Sequence, residues 1–286
     1  MQSASIKSPI ENAASAKTNK GKAAIDEIED LEPPSAPSSH LWTIRICSII
    51  FTFGAWEILG RQVNPLFMSY PSAILMAAVR LTSTGELVYA LGSSMRTLAV
   101  SLVFASVAGL ILGMLIGRYR YVEAAADWIV NALYCTPKVA IIPLVILWFG
   151  LGDGAKIFIV SVLAVFPILI NTIAGVRNVP KSLVDVGVAF DATESQIFRK
   201  IILPAALPYM MTGLRLGIGR GLIGLVVAEF YTAVTGLGAM IIKYGNQYDT
   251  ASMFVPIFML MLLGVLLTTV LQKLDRRIAP WRYTEE

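Results

Sequence analysis

One histidine and two cysteines are all that this 286-residue chain offers to metal or thiol chemistry. His40 stands alone at the edge of a polar N-terminal stretch and supports no catalytic or metal role. Cys47 and Cys135 both fall in apolar surroundings, outside any metal-ligand spacing, and no disulfide is expected between them. Charge is scarce too: 15% of residues are charged, where soluble domains carry about 25%. Hydrophobic residues reach 56% and mean hydropathy +0.69, so lipid, not water, is the expected solvent. No G-x4-GK[ST] phosphate loop occurs, so the chain is not expected to hydrolyse ATP itself. No nucleophile–base pair appears in or beside the apolar runs, which argues against an integral membrane enzyme.

What the chain has is apolar length. A helix needs roughly 20 largely apolar residues to cross the hydrocarbon core. Runs of that kind lie at about 41–60, 97–117, 124–150, 156–176, 209–234 and 252–272, giving an all-α polytopic membrane protein with about six transmembrane helices. The third run is broken by Pro137 and Lys138, so it is expected to be discontinuous. Arg45 and Glu57 interrupt the first near its two ends. Pro71-Ser72 opens a short amphipathic helix in the segment between the first two runs.

The net charge of +4 does not point to nucleic acid, because the cations cluster beside the apolar runs as orientation signals. With both termini in the cytoplasm, the inner loops and tail would hold Arg118, Arg120, Arg177, Lys181, Arg199, Lys200, Lys273, Arg276, Arg277 and Arg282. The outer loops would hold only Arg61, Arg80, Lys156 and Lys243, with Arg96 at a boundary. Four divisions follow. Residues 1–40, rich in Ser, Ala, Lys and Pro and lacking the apolar core of a signal peptide, form a cytoplasmic tail without a fold of its own. Residues 41–85 hold the first span and an interfacial segment, 86–272 the main transmembrane domain, and 273–286 a C-terminal tail.

The polar stretch 182–208, SLVDVGVAFDATESQIFRKIILPAALP, sits between the fourth and fifth runs, and on the orientation above it faces the cytoplasm. Pro180 and Ser182 set a helix start, with Asp185 as the reciprocal capping partner of Ser182. A helix over 183–190 meets a turn at Asp191, a residue that tolerates the left-handed conformation, though less well than glycine. Thr193 and Gln196 form a second capping box for a helix to about Ile202; Leu203-Pro204 ends the unit and Pro208 starts the next span. Val186, Phe190, Ile197, Phe198 and Ile201 make an apolar edge, and Asp185, Glu194, Arg199 and Lys200 a charged one. Such an elbow suits a groove on a soluble partner. An ordinary loop lying on the membrane surface fits the same residues, and physics alone leaves both open.

The stretch also resembles the coupling loop of binding-protein-dependent ABC importer permeases, EAA-x3-G-x9-I-x-L-P. Here it reads Asp185-Val186-Gly187, then Asp191, then Ile201-Ile202-Leu203-Pro204, at the family's spacing, with Ala192 and Phe198 inside it. Asp185 replaces Glu, and Asp191 replaces the usual Gly, which bears on the stiffness and aim of the turn. IPLVILWFGLGDGAKIF, FPILINTIAGV, ILPAALP, TGLRLGIGRG, VVAEF and the closing RRIAPWR are similar to the nitrate/sulfonate/taurine branch. The resemblance covers nearly everything after residue 41. It implies a type I ABC importer transmembrane domain (MetI-like), working as a homodimer in the bacterial inner membrane. It further implies two cytoplasmic ATPase subunits, which bind the ATP and magnesium, and an extracytoplasmic binding protein; this chain would bind no cofactor. An ion-coupled secondary transporter is the competing reading; of its expected marks, only the break at Pro137 is present.

Ionisable groups inside spans are costly and often functional. Arg215 and Glu229 lie fourteen positions apart on one helix, too far along the axis to pair. Arg215 is expected to brace the elbow or snorkel. Glu229 matches a family position and suits a packing or gating hydrogen bond, with substrate contact as the alternative. Arg220 either lines the pathway, where it would favour an anion, or snorkels to the interface. Asn171, Lys138 and Thr172 are pore candidates with a structural hydrogen bond as the simpler reading. Gly109, Gly113 and Gly117, and again Gly213, Gly217 and Gly221, form rows that let helices approach closely, within the subunit or across a dimer.

Overall fold

Long apolar runs leave the backbone no water to bond, so in lipid they close as helices. The computed structural model describes residues 38–232 and 234–278, and every regular element among them is helical. The N-terminal tail before residue 38, His40's side chain and the end of the chain from 279, with its APWR ending, lie outside the described residues. The chain divides into two units, one ending at Ala55 and one starting at Trp56.

The first helix, α1, is Ser38–Gln62. Its apolar side chains before the unit boundary, from Trp42 to Phe53, stand exposed, as a lipid-facing surface requires. In the second unit, α2 (Pro71–Ser83) starts with proline at its first turn, and α3 (Glu86–Arg118) follows after only two residues. Gly85, at φ 78, makes that tight turn. Next come α4 (Arg120–Cys135), a 3-10 turn (Lys138–Ile141) and α5 (Ile142–Phe149), then α6 (Asp153–Arg177), α7 (Lys181–Ala189) and α8 (Glu194–Ile197). A π turn (Phe198–Ile202) joins α8 to α9 (Leu203–Thr232); α10 (Leu237–Asn246) and α11 (Thr250–Ile278) complete the chain.

Among the described residues five helices are long and apolar enough to cross a membrane. A sixth crossing is made if α4 and the Lys138–Phe149 segment count as one span, bent by 83°. The expected break at Pro137 is therefore present, although the helix leading to it starts at Arg120 rather than 124. Lys138 explains how the bend is tolerated: its ammonium donates to Leu133 O, Tyr134 O and Thr136 O, satisfying carbonyls that the interrupted helix leaves open.

Three expectations fail at element ends. The helix of the second span starts at Glu86, not 97: Ser93 and Ser94, ahead of the apolar run, bond Thr235 and Glu229, and Thr97 is buried, so these polar residues face protein instead of water. The fifth does not start at Pro208. Helix runs from Glu194 to Thr232 with Pro204 and Pro208 inside it. The π turn absorbs the first proline, since Leu203 N reaches five residues back to Phe198 O and the local register widens. The short helix α10 was not foreseen, although Leu237, Met240, Ile241 and Tyr244 repeat at helical spacing after Gly236.

The fold is centred on α6, with α3 on one side and α9 on the other. The first glycine row and Gly213 and Gly217 of the second face it, while Gly221 meets Leu102 of α3 first. A Cβ built on Gly113 would stand 2.6 Å from the Thr172 Cβ, and one on Gly217 would stand 2.8 Å from Ile168 side-chain carbons. The rows thus serve packing within the subunit, where backbone-to-backbone approach replaces the missing hydrophobic drive. Below them, toward the elbow, lies the cluster of Val176, Ile197, Ile202, Ala206 and Met210; at the other end lies that of Ile74, Leu81, Leu87, Leu237 and Tyr244.

Candidate functional site

The elbow is built by local rules with one exception. α7 follows Pro180 directly and has no side-chain cap; Leu183 N bonds Pro180 O, so Ser182 falls inside the first turn and the expected Ser182–Asp185 box does not form. Asp185 is left exposed. The helix closes through Phe190 N to Val186 O, Asp191 N to Val188 O and Ala192 N to Gly187 O, with Asp191 in the left-handed region at φ 51. The second box is formed: Thr193 N donates to Gln196 Oε1 at 2.8 Å, and Gln196 N to Thr193 Oγ1 at 3.4 Å.

Gly187 is buried where a Cβ would meet Ile201 Cδ1 at 2.7 Å, so its smallness lets α7 lie down on the second arm. The tertiary packing splits the expected apolar edge in two. Ile197, Phe198, Ile201, Leu203 and Ala192 pack into the cluster beneath, and Pro204 is half-buried. Leu183, Val186, Val188 and Phe190 stay outside, Phe190 with 83% of its surface free. Arg118 at the end of α3 approaches Glu194 at 3.7 Å, which ties the elbow to the bundle.

Of the polar groups in the spans, the structure brings two together. Arg220 and Lys138 line one cavity of about 300 Å³ with Tyr134, Leu163, Phe166 and Pro167. The Lys138 ammonium sits 4.5 Å from the Phe166 ring centre and is held by the carbonyls of α4. Arg220 makes no hydrogen bond or ion pair with the described residues. Asn171 donates its amide to Pro167 O at 2.8 Å, and Thr172 its hydroxyl to Ile168 O at 2.7 Å, both within α6. Arg215 reaches toward α11, its Nη2 lying 4.0 Å from the buried Asp275 carboxylate.

Glu229 is fully buried at the end opposite the elbow. It accepts from Ser94 Oγ at 2.6 Å and from Gly238 N at 2.7 Å, while Ser94 Oγ accepts from Leu237 N at 2.8 Å. The carboxylate thus receives the second amide of α10 directly, and Ser94, which receives the first, donates to it, at a helix start where the dipole favours negative charge. Gly236, at φ 113, lies over that carboxylate with no room for a side chain. Next to it, the buried Lys156 donates to Thr235 O at 3.0 Å and Thr235 Oγ1 at 2.8 Å. Sequence reasoning placed Lys156 in an outer loop. The signal it missed is that the lysine falls in the first turn of an apolar helix, where it has to find a partner. Outside the spans, the hydrogen bond to Glu86 holds the Lys243 ammonium above the usual lysine value. At the start of α11, burial raises the Asp249 carboxyl, but hydrogen bonds from Ser252 and Arg80 outweigh it and hold the group below the usual value.

Comparison with known proteins adds the following. Residues 105–280 match the family described as binding-protein-dependent transport system inner membrane component. The formylaminopyrimidine transport permease protein ThiX of Halalkalibacterium halodurans is 30% identical, over 79% of this chain and 91% of its own. The Bacillus subtilis permease protein SsuC, named for aliphatic sulfonates, is 32% identical over 81% and 84%. The taurine transport system permease protein TauC of Escherichia coli is 28% identical over 86% and 92%. Among solved structures, a chain of the MetNI methionine ABC transporter in inward-facing conformations superposes with a TM-score of 0.56 at 24% identity. It covers 69% of this chain and 98% of its own, a likeness of fold.

Proposed function

The chain belongs to the family of binding-protein-dependent transport system inner membrane components and is a multi-pass, non-catalytic permease of an ABC importer; from that premise we propose that it carries a small anionic nutrient inward. Nitrate, taurine or another sulfonate fits the reading. Membership of the family does not favour the secondary-transporter alternative.

The observation that carries the proposal is the elbow. It is capped at Thr193, packed from beneath, and free on the face of Leu183, Val186 and Phe190. Exposed apolar side chains at one end of a membrane bundle suit a cover, of protein or of lipid, and the match of 185–204 to the coupling-loop pattern favours protein. We assign that cover to a cytoplasmic ATPase subunit, one for each permease of a homodimer. The lysine and arginine distribution supports the elbow, both termini and the tails 1–40 and 273–286 on the cytoplasmic side. ATP and magnesium would be held by the partners.

Glu194 to Thr232 forms one helix interrupted only by a π turn. A push on the elbow by the closing ATPase dimer therefore acts along the axis of a span, and 185–204 works as a lever. In this scheme the spans open outward to receive substrate from the binding protein and release it inward after hydrolysis. Arg220 and Lys138 support the anionic substrate: their cavity has two positive charges and no carboxylate in its lining, so it favours an anion electrostatically. We place Arg220 in the pathway and Glu229 in the gate at the outer end; Asn171 and Arg215 brace the helices around them.

Co-purification tests the assembly. A tagged full-length chain, expressed with its neighbouring genes, brings down an ATPase subunit in equal numbers. A chain that inserts in the membrane and never retains one would sink the proposal.

A further inference from the structure

At the end opposite the elbow a second cavity, of about 580 Å³, opens between the start of α6, the wall of α3 and the turn after α9. Its chemistry is uneven. Arg96 enters from α3, exposed, and makes no hydrogen bond or ion pair with the described residues. Lys156 stands in the wall with 1% of its surface free. An ammonium so deeply placed is expensive unless its charge is used. It donates to the two Thr235 oxygens, and its charge faces the exposed Asp153 carboxylate at 3.7 Å and the buried Glu229 carboxylate behind the turn. Gly152, the N-cap of α6, and Asp153, its first residue, line the same space, and no side chain caps that helix. Its first amides add partial positive charge. Ser93 and Thr235 supply hydroxyls beside them.

We infer that this cavity is a binding site for a small oxyanion such as a sulfonate, with Arg96 as its bidentate donor and Lys156 as its buried charge. Geometry favours the assignment. A guanidinium with five unengaged donors matches two oxygens of one oxyanion, whereas an ammonium offers a point charge. Asp153 is the one negative group in the lining. Its exposed side chain is free to swing to water, leaving Arg96, Lys156 and the helix start to face the ligand. The cavity admits a small anion with room to spare, the remainder being taken by water.

Position gives the site its role. Thr235, which Lys156 holds, adjoins Gly236, the residue laid over the Glu229 carboxylate. An anion drawn to Lys156 therefore competes with the bond that pins this turn. The site is an entry site if the permease reading is right, and that role rests on it; anion binding itself does not.

Isothermal titration of the full-length chain with sodium methanesulfonate, in neutral-lipid nanodiscs with chloride holding ionic strength constant, tests the inference. An Arg220→Gln background removes the unpaired guanidinium of the other cavity. In that background we expect saturable binding, weakened about tenfold by Arg96→Gln and partly restored by Arg96→Lys. Lys273→Gln, which removes a positive charge at the far end, should change nothing. Absence of binding, an unchanged affinity in Arg96→Gln, or an equal loss in Lys273→Gln would overturn the site. Arg96 is exposed, so its variants keep the fold, which monodisperse elution verifies. ATPase co-purification is independent of this titration, so failure of the permease reading and failure of the site are told apart.

Discussion

Asp191 is one of the residues at which this elbow departs from the family pattern, and its backbone accounts for that departure. At φ 51 it occupies the conformation for which glycine is usual, and an aspartate reaches it at a modest cost because its short side chain can bond locally. The family position is therefore kept in conformation while the residue type changes. A β-branched residue has no such relief. Asp191→Val should lower the stability of the purified protein by about 1–3 kcal/mol, read as a drop in Tm, while Asp191→Gly should leave Tm within a degree or two of wild type. Equal melting of all three would mean that the turn is not held in the left-handed region. Glu229 makes the complementary point: a carboxylate inside a span becomes tolerable when a helix start and a serine are brought to it.

At the scale of the element, α6 is gripped from both sides by glycine rows, and the grip is steric. Adding one methyl at Gly113 places it 2.6 Å from Thr172 Cβ and 3.0 Å from Leu169 O, so α3 has to move away. Gly113→Ala should cost about 1–3 kcal/mol, measured as reduced thermal stability in detergent. Gly219 lies on the same helix as the second row but has nothing within 4 Å, and Gly219→Ala should leave the subunit's stability unchanged. A larger loss at Gly219 than at Gly113 would mean that the face of Gly219, and not the rows, carries the close packing. The same steric logic governs the elbow, where Gly187 lets two short helices stack.

For the whole molecule, the continuous path from Glu194 to Thr232 makes the elbow part of a span and not a loop hung between two. Disturbing the face proposed to dock the ATPase should then uncouple ATP hydrolysis from uptake without unfolding the bundle. Asp185→Ala alters only an exposed group. Ala192→Glu adds a charge at the edge of the packed cluster, so insertion and ATPase retention must be checked alongside it. In proteoliposomes containing the complete importer, both should lower uptake per ATP hydrolysed severalfold while ATP hydrolysis persists. Wild-type uptake with normal ATPase retention would count against the lever.

Apolar run length, the Pro137 break, the Thr193–Gln196 cap, the turn at Asp191 and the family motif were all legible in the sequence, because each depends on neighbours a few residues away. Lipid as the solvent followed from composition alone, since too little charge is present to cover a soluble surface. Where helices end, which glycines are gripped and which apolar residues of the elbow face outward were decided by tertiary structure. Ser94 lies outside the apolar run read from the sequence, and α9 and α10 bring it partners; Phe190 and Ile197 read as one edge until the bundle covers only one of them. The physical reason is the same in each case. Burial and hydrogen-bond satisfaction belong to pairs of groups far apart in the chain, and Arg220 meets Lys138, or Lys156 meets Thr235, only when the helices pack.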